Sequence, residues 1–256
     1  EITTRLVGSE MCIRDSRSLL QGTLMIYDTA NAPVKKALNG TTYTWIKVTY
    51  YYKGSNDQYL MATEATGWVT QNNTTEVSTT IPDKSSIYSG NQSYKQNERL
   101  VNARYIFDYL RSLSSSKRWS VNAICATLGN MEAESGITPG KWEVLNDTSS
   151  GFGLVQWTPA SKFINALGTS ESKTDIDVQL KRIQAEVDGT YTQWTSSSHS
   201  PAMTFSEYTK STKTVATLAE YFLRCYERPE ITTGMVSERK RCAEKWYNIL
   251  SAVGDI

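Results

Sequence analysis

The spacing of apolar residues changes once along this chain, across a polar stretch at 73–97. Before it, "TLMIY" (23–27), "YTWIKVTYYY" (43–52), "QYLMA" (58–62) and "GWVTQ" (67–71) are dense in β-branched and aromatic residues. Such residues suit a pleated, half-buried surface, so these runs are predicted strands. "NG" at 39–40 and "KGSN" at 53–56 supply turn residues between them. Several short strands in so little chain predict a small barrel or part of one. After the polar stretch the period is helical. In "ERLVNARYIFDYLRSL" (98–113), Leu100, Val101, Ala103, Ile106, Phe107 and Leu110 form one apolar stripe. "VNAICATLGNMEAES" (121–135) predicts a second helix, with Ser120 as N-cap and with Gly136 and Pro139 marking its end. Further helices are predicted at 159–167, 173–188, 204–210, 214–226 and 234–252. The expected fold class is two-domain: a small all-β domain over 22–77, a linker over 78–97 and a mainly α domain over 98–256.

Composition narrows the function classes. The 256 residues are 39% hydrophobic, enough for a sizeable core, and the net charge is +1. That balance argues for neither a nucleic-acid partner nor a membrane surface. No apolar run approaches the roughly 18 residues of a membrane span. A single histidine, His199, in the polar loop "TSSSHSPA" (195–202), is too little for a His-based metal site. Cys12, Cys125, Cys225 and Cys242 show no CxxC spacing, so neither metal nor cofactor is expected. Cys225 and Cys242 are open to a disulfide or to remaining buried thiols, and Cys125 falls on an apolar helix face. Seven Trp and fifteen Tyr suit carbohydrate binding as well as ordinary cores. Residues 1–21 read as a non-native or truncated leader. Their charges break up any signal-peptide core, the chain does not begin with Met, and "LVGSEMCIRDS" (6–16) resembles translated sequencing adaptor.

"GNMEAESGITPG" (129–140) places two carboxylates near a helix end. Val121, Ile124, Cys125, Leu128 and Met131 mark the apolar face. Glu134 lies about 60° from Met131 at roughly 100° per residue, and Glu132 about 100° away. Glu134 is therefore expected half-buried and Glu132 solvated. A partly desolvated carboxyl at a helix C-terminus holds its proton more tightly, as a general acid must. A helix-end glutamate bound to a nearby Lys or Arg fits the same residues. Downstream, "NDTSSGFGLVQWTPASKF" (146–163) carries Gly151 and Gly153 around an aromatic. "LVQW" is predicted as a short strand, and Thr158-Pro159 as a helix start. Gln156 can donate and accept hydrogen bonds and Trp157 offers a flat face to a sugar ring. A turn followed by a packed Trp fits equally.

Two resemblances sharpen this. "TYTWIKVTYY" followed by "ATGWV" resembles the late strands of bacterial SH3-like domains over about 22–72, which implies a wall-binding or spacing barrel. "NMEAESGITPG", "GFGLVQWT" and "YFLRCYERPE" (221–230) together resemble the phage tail lysozyme family of the lysozyme-like superfamily, over about 98–252. The resemblance implies a peptidoglycan hydrolase acting on the β-1,4 bond between N-acetylmuramic acid and N-acetylglucosamine. It puts the catalytic acid on Glu134 and a sugar groove along Gly151, Gly153 and Gln156, with Trp157 and Tyr226 as further substrate contacts. A second carboxylate would activate water: Asp147 is the first candidate and Glu143 the next. Without one, the muramyl 6-hydroxyl would attack, as in a lytic transglycosylase. Glu227, followed by Arg228 and Pro229, also suits an ion pair at a helix end. The expected partners are glycan strands and other phage tail or wall-hydrolase modules, at a virion tail or outside the cell at the bacterial wall. The rivals are a wall-binding or tail structural protein without turnover and a papain-like peptidase using Cys125 and His199.

Overall fold

The computed structural model describes residues 4–7, 11–12, 18–19, 23–38, 40–52, 63–71, 74–78, 80–196 and 202–256. The strand expected at 58–62, the turn at 53–56 and His199 lie outside them. The chain forms two compact units. One comprises the N-terminal strands with residues 95–98 and 248–256, and the other residues 82–94 and 99–247.

The first unit is an antiparallel sheet of β1 (Thr4–Val7), β4 (Leu24–Tyr27), β5 (Val34–Leu38), β6 (Thr41–Tyr52), β7 (Thr63–Thr70) and β8 (Thr74–Glu76). The two-residue strands β2 (Met11–Cys12) and β3 (Ser18–Leu19) pair separately. The long β6 organises it, pairing with β5 through its first half, with β4 through its second and with β7 from Trp45 to Tyr52. Its sequence alternates, so Ile46, Val48 and Tyr50 point to one side and meet Met25 and Val69 in a small core. Gln96 ties two strands together, accepting from the Leu24 N–H at 2.9 Å and donating to the Tyr51 carbonyl at 3.0 Å. Among the described residues the sheet is not closed into the expected SH3-like barrel. Among the described residues β5 pairs only with β6 and β8 only with β1, and nothing joins the two ends.

The second unit is helical, as the period change predicts. Its helices are α1 (Gln96–Ser112, entering the unit at Arg99), α2 (Val121–Ser135), α3 (Ser161–Ile164), α4 (Ile176–Val187), α5 (Phe205–Lys210), α6 (Val215–Phe222) and α7 (Thr233–Val253). Among the described residues, no helix is long and apolar enough to cross a membrane. The α2 helix runs through the middle, with every residue from Ala123 to Glu132 buried. Ser120 caps it through the Ala123 N–H, and Gly136, at φ +64°, ends it. Gly129 is required where α2 meets α7, because a Cβ there would lie 2.4 Å from the Ala243 amide nitrogen. Residues 82–94 of the polar stretch pack on this unit. Asn102 hydrogen-bonds the Tyr88 backbone in both directions, and Asn91 accepts from the Trp142 N–H.

Two local expectations are corrected here. The α3 helix begins at Ser161, behind a cis Thr158-Pro159 bond, and "LVQW" forms turns closed by single bridges from Phe152 to Trp142 and Trp157. Of the two states left open for Cys225 and Cys242, the structure has buried free thiols, and Cys125 is a buried thiol as its helix face implied.

Glu132 is also corrected, from solvated to buried. Its carboxylate accepts from Lys245 Nζ at 2.5 Å, Trp246 Nε1 at 2.8 Å and Arg99 Nη1 at 3.2 Å. Helical phase misplaces it because α2 is covered on all sides, so no face is left for solvent. Burial pushes the carboxyl up, but Lys245 and Arg99 outweigh it and leave the Glu132 pKa below the usual glutamate value. Breaking a buried pair on one side strands the other charge at a cost of about 3–5 kcal/mol. Glu132→Gln should lower stability by about that amount in denaturant unfolding at neutral pH. Because the folded-state pKa is depressed, the stabilisation is full above the ordinary glutamate range and is lost as pH falls through the folded value. The gap between parent and variant should therefore narrow on acidification.

Candidate active site

The last turn of α2, the 141–158 loop and the segment after α6 enclose a cleft of about 480 Å³. Glu134, Glu143, Gln156, Lys162, Glu227 and Arg228 are among its lining residues. Each arrives by a local device. Glu134 sits at the end of α2, one residue before Ser135, whose hydroxyl donates to the Met131 and Leu154 carbonyls and pins the turn to the glycine loop. Glu143 is exposed, but its Oε2 accepts the Gly151 N–H at 2.9 Å, which fixes it over the loop. Gln156 adopts a left-handed backbone, φ +49°, and its Nε2 donates to the Lys141 and Gly153 carbonyls. Its amide nitrogen is thereby committed to the loop.

The α6 helix continues without a break into a π-helical turn, Leu223–Glu227, closed by the Arg228 N–H on the Leu223 carbonyl. Such wide turns accommodate one extra residue and recur at functional sites. Here the turn aims Glu227 at the cleft from beneath. Arg239 of α7 joins the two acidic side chains: its Nη2 bonds both Glu134 Oε1 and, at 3.0 Å, Glu227 Oε2. Glu134 keeps 25% of its side chain exposed, against 5% for Glu227 and 6% for Arg239. Burial, and next the Glu134 charge, push the Glu227 carboxyl well above the usual carboxylate range, with Arg239 opposing them. Two acids of unequal exposure thus share one guanidinium on the cleft wall.

A family model for the phage tail lysozyme matches residues 101–250. The chain belongs to the phage tail lysozyme family. Over 170 residues it is 46% identical to Morphogenesis protein 1 of Bacillus phage B103, a match covering 65% of this chain and 44% of that protein. The matched part of the chain therefore spans less than half of that relative.

In this phage tail lysozyme domain the residues singled out from sequence do not all reach the cleft. Glu134, Glu143 and Gln156 line it together. Asp147 does not: its carboxylate caps a turn by accepting from the Ser149 N–H and hydroxyl, and these bonds hold its pKa below the usual value. Trp157 and Tyr226 are each 1% exposed, and both donate to Glu186, Trp157 through Nε1 at 3.0 Å and Tyr226 through its hydroxyl at 2.5 Å. Trp157 stacks on Phe163 and Tyr226 on Phe222, so their faces are packed and neither ring lines the cleft. Burial pushes the Glu186 carboxyl up, against the pull of those donors and of Arg182. Arg239 and Glu186 were not legible as site residues. Neither lies in a motif, and each gains its meaning from partners far along the chain. Glu227 does form an ion pair, but with Arg239; its neighbour Arg228 reaches Thr195 instead.

The two loop glycines have different reasons. At Gly151 a Cβ would stand 2.8 Å from Gln156 Oε1, so the close approach shapes the rim. Gly153 combines φ +84° with a Cβ position 2.8 Å from Gln179 Oε1, the atom that accepts the Leu154 N–H. Gly189 shares a positive φ, +82°, but has open space around it. Gly153→Ala should therefore destabilise the domain more than Gly189→Ala, whose cost is confined to backbone strain of about 1–3 kcal/mol. Thermal and denaturant unfolding of both variants would check the ranking.

Proposed function

We propose that the helical domain is a muramidase that cleaves the β-1,4 bond between N-acetylmuramic acid and N-acetylglucosamine in peptidoglycan, with Glu134 as general acid. What carries the reading is one cleft lined by a partly buried Glu134 and by Glu143, in a chain of the phage tail lysozyme family. Glu134 protonates the glycosidic oxygen as that bond breaks, and the bonding electron pair leaves with the oxygen. Positive charge then develops at the anomeric carbon. Glu143 takes the part of the second carboxylate, receiving a proton from the attacking water. It is preferred to Asp147 because it lines the cleft while Asp147 is occupied in a turn. Gly151, Gly153 and Gln156 shape the groove wall, and Trp157 and Tyr226 brace it through Glu186.

The relative's name, a morphogenesis protein of a phage, supports placing the enzyme in a virion that meets the bacterial wall. The N-terminal sheet then serves as a wall-contacting or spacing module. The test is clearance of purified Gram-positive peptidoglycan. Glu134→Gln should reduce the rate by at least about 10²-fold, the scale of lost general acid catalysis, with an unchanged melting curve. Equal activity of the two forms would refute the assignment. Mass spectrometry should find reducing muramic ends that depend on Glu143. Anhydro ends, unaffected by Glu143→Gln, would make the enzyme a transglycosylase.

A further inference from the structure

We infer that Lys141 makes the cleft selective for charged glycan: its ammonium binds an oxyanion carried on a muramic acid residue. The inference rests on this cleft being the site of glycan cleavage. A neutral sugar ring offers hydroxyl and amide groups and no charge for a cation to meet. Yet three cationic side chains, Lys141, Lys162 and Arg228, line the cleft beside the carboxyls of Glu134, Glu143 and Glu227. Such cations either offset the protein's own acids or are left for an anion that arrives with the ligand.

Their partners separate the two roles. The acids are held by other groups: Glu134 and Glu227 bond Arg239, and Glu143 accepts the Gly151 N–H. Lys162 donates to the Thr158 carbonyl at 2.7 Å, and Arg228 to the Thr195 hydroxyl at 2.8 Å. The Lys141 ammonium has neither a hydrogen bond nor an ion pair among the described residues. Its main chain is fully engaged. The Lys141 N–H donates to the Thr138 carbonyl at 3.2 Å, and its carbonyl accepts the Gly153 N–H at 2.8 Å and Gln156 Nε2 at 3.0 Å. The root of the side chain is thus fixed to the glycine loop while its head is uncommitted. The residue is half-buried, so a charge pair formed there is screened less by salt than one on an open surface.

Peptidoglycan carries the complementary charge. Muramic acid differs from N-acetylglucosamine by a lactyl ether that ends in a carboxyl. In the wall that carboxyl is amide-linked to a stem peptide with carboxylates of its own, and phosphodiester polymers are attached to the same sugar. Each presents an oxyanion that an ammonium binds by a charge-assisted hydrogen bond. Lysine, a compact charge on a flexible stem, suits any of these carriers without demanding one planar geometry.

Calorimetric titration of the Glu134→Gln form, which leaves the glycan uncut, tests this. The ligands are tetrasaccharides of matched length: N-acetylglucosamine only, alternating with muramic acid bearing a free lactyl carboxylate, the same with stem peptides, and the same with a phosphodiester stub. Adding Lys141→Met should weaken at least one charged ligand by about 3–10-fold, between an exposed ion pair and a buried charge-assisted bond. The neutral ligand should bind as before, and the charged ligand that responds identifies the carrier. Lys141→Arg should keep the preference, and added salt should erase it. Equal weakening of neutral and charged ligands, or of none, would overturn the inference. An inactive Glu134→Gln whose ligands ignore Lys141→Met rejects this inference alone. Peptidoglycan clearance by Glu134→Gln, or no binding of any glycan, rejects the muramidase reading and this inference with it.

Discussion

The helical domain depends on a carboxylate that takes no part in the cleft. Glu132 is held by Lys245 and Trp246 of α7 and by Arg99 of α1, at the point where α2 is most deeply enclosed. These charge-assisted bonds join the neighbouring helices α1 and α2 to α7, which lies about a hundred residues further along the chain. A buried ion cluster adds little net stability compared with a well-packed apolar core, but it tolerates only one arrangement of its partners. That selectivity sets the rotation of the last turn of α2. Two residues later the helix emerges from its sheath, and Glu134 becomes the first acidic side chain on it to meet the cleft.

The cleft separates exposed chemistry from a dry support. At the cleft are polar groups on turns: Glu143 over the Gly151 amide and Gln156 clasping the loop carbonyls. Leading into Glu227 is an aromatic cluster in which Phe205, Phe222, Tyr226 and Trp194 pack with ring centroids 4.5–6.4 Å apart. Glu186 joins Trp157 to Tyr226 of that cluster, coupling the glycine loop to the π-helical turn through one buried carboxyl. The rim is thus anchored by hydrogen bonds that the substrate need not disturb.

Much of this was legible in the residues. The period change separated the strands from the helices, and the cap at Ser120 and the break at Gly136 bounded α2 to the residue. Motif order identified the loop and the YERP turn. What escaped was whatever depends on partners distant in sequence. Phase arguments assume one wet face, and they fail for a helix covered all round, which is why Glu132 was misplaced. Asp147 and Glu143 look alike in a loop, and each accepts a backbone N–H; only the fold shows that Glu143 is held at the cleft and Asp147 in a turn. Trp157 reads as a sugar platform until a buried acid takes its indole N–H. Arg239, in a run of charges on α7, carries no local sign that it bridges two acids.

The π-helical turn makes the site sensitive to chain length in a way that composition does not reveal. Leu223–Glu227 holds one residue more than a regular helical turn would accommodate in the same space. Removing a single residue from it would let α6 close as an ordinary helical turn, and the side chains that the wide turn sets would lose their present placement. Glu227 would then leave Arg239, and Tyr226 would leave Glu186, although every side chain of the cleft would still be encoded. Among homologues of this domain, a one-residue gap at that point would mark a reorganised site more surely than many substitutions along its walls.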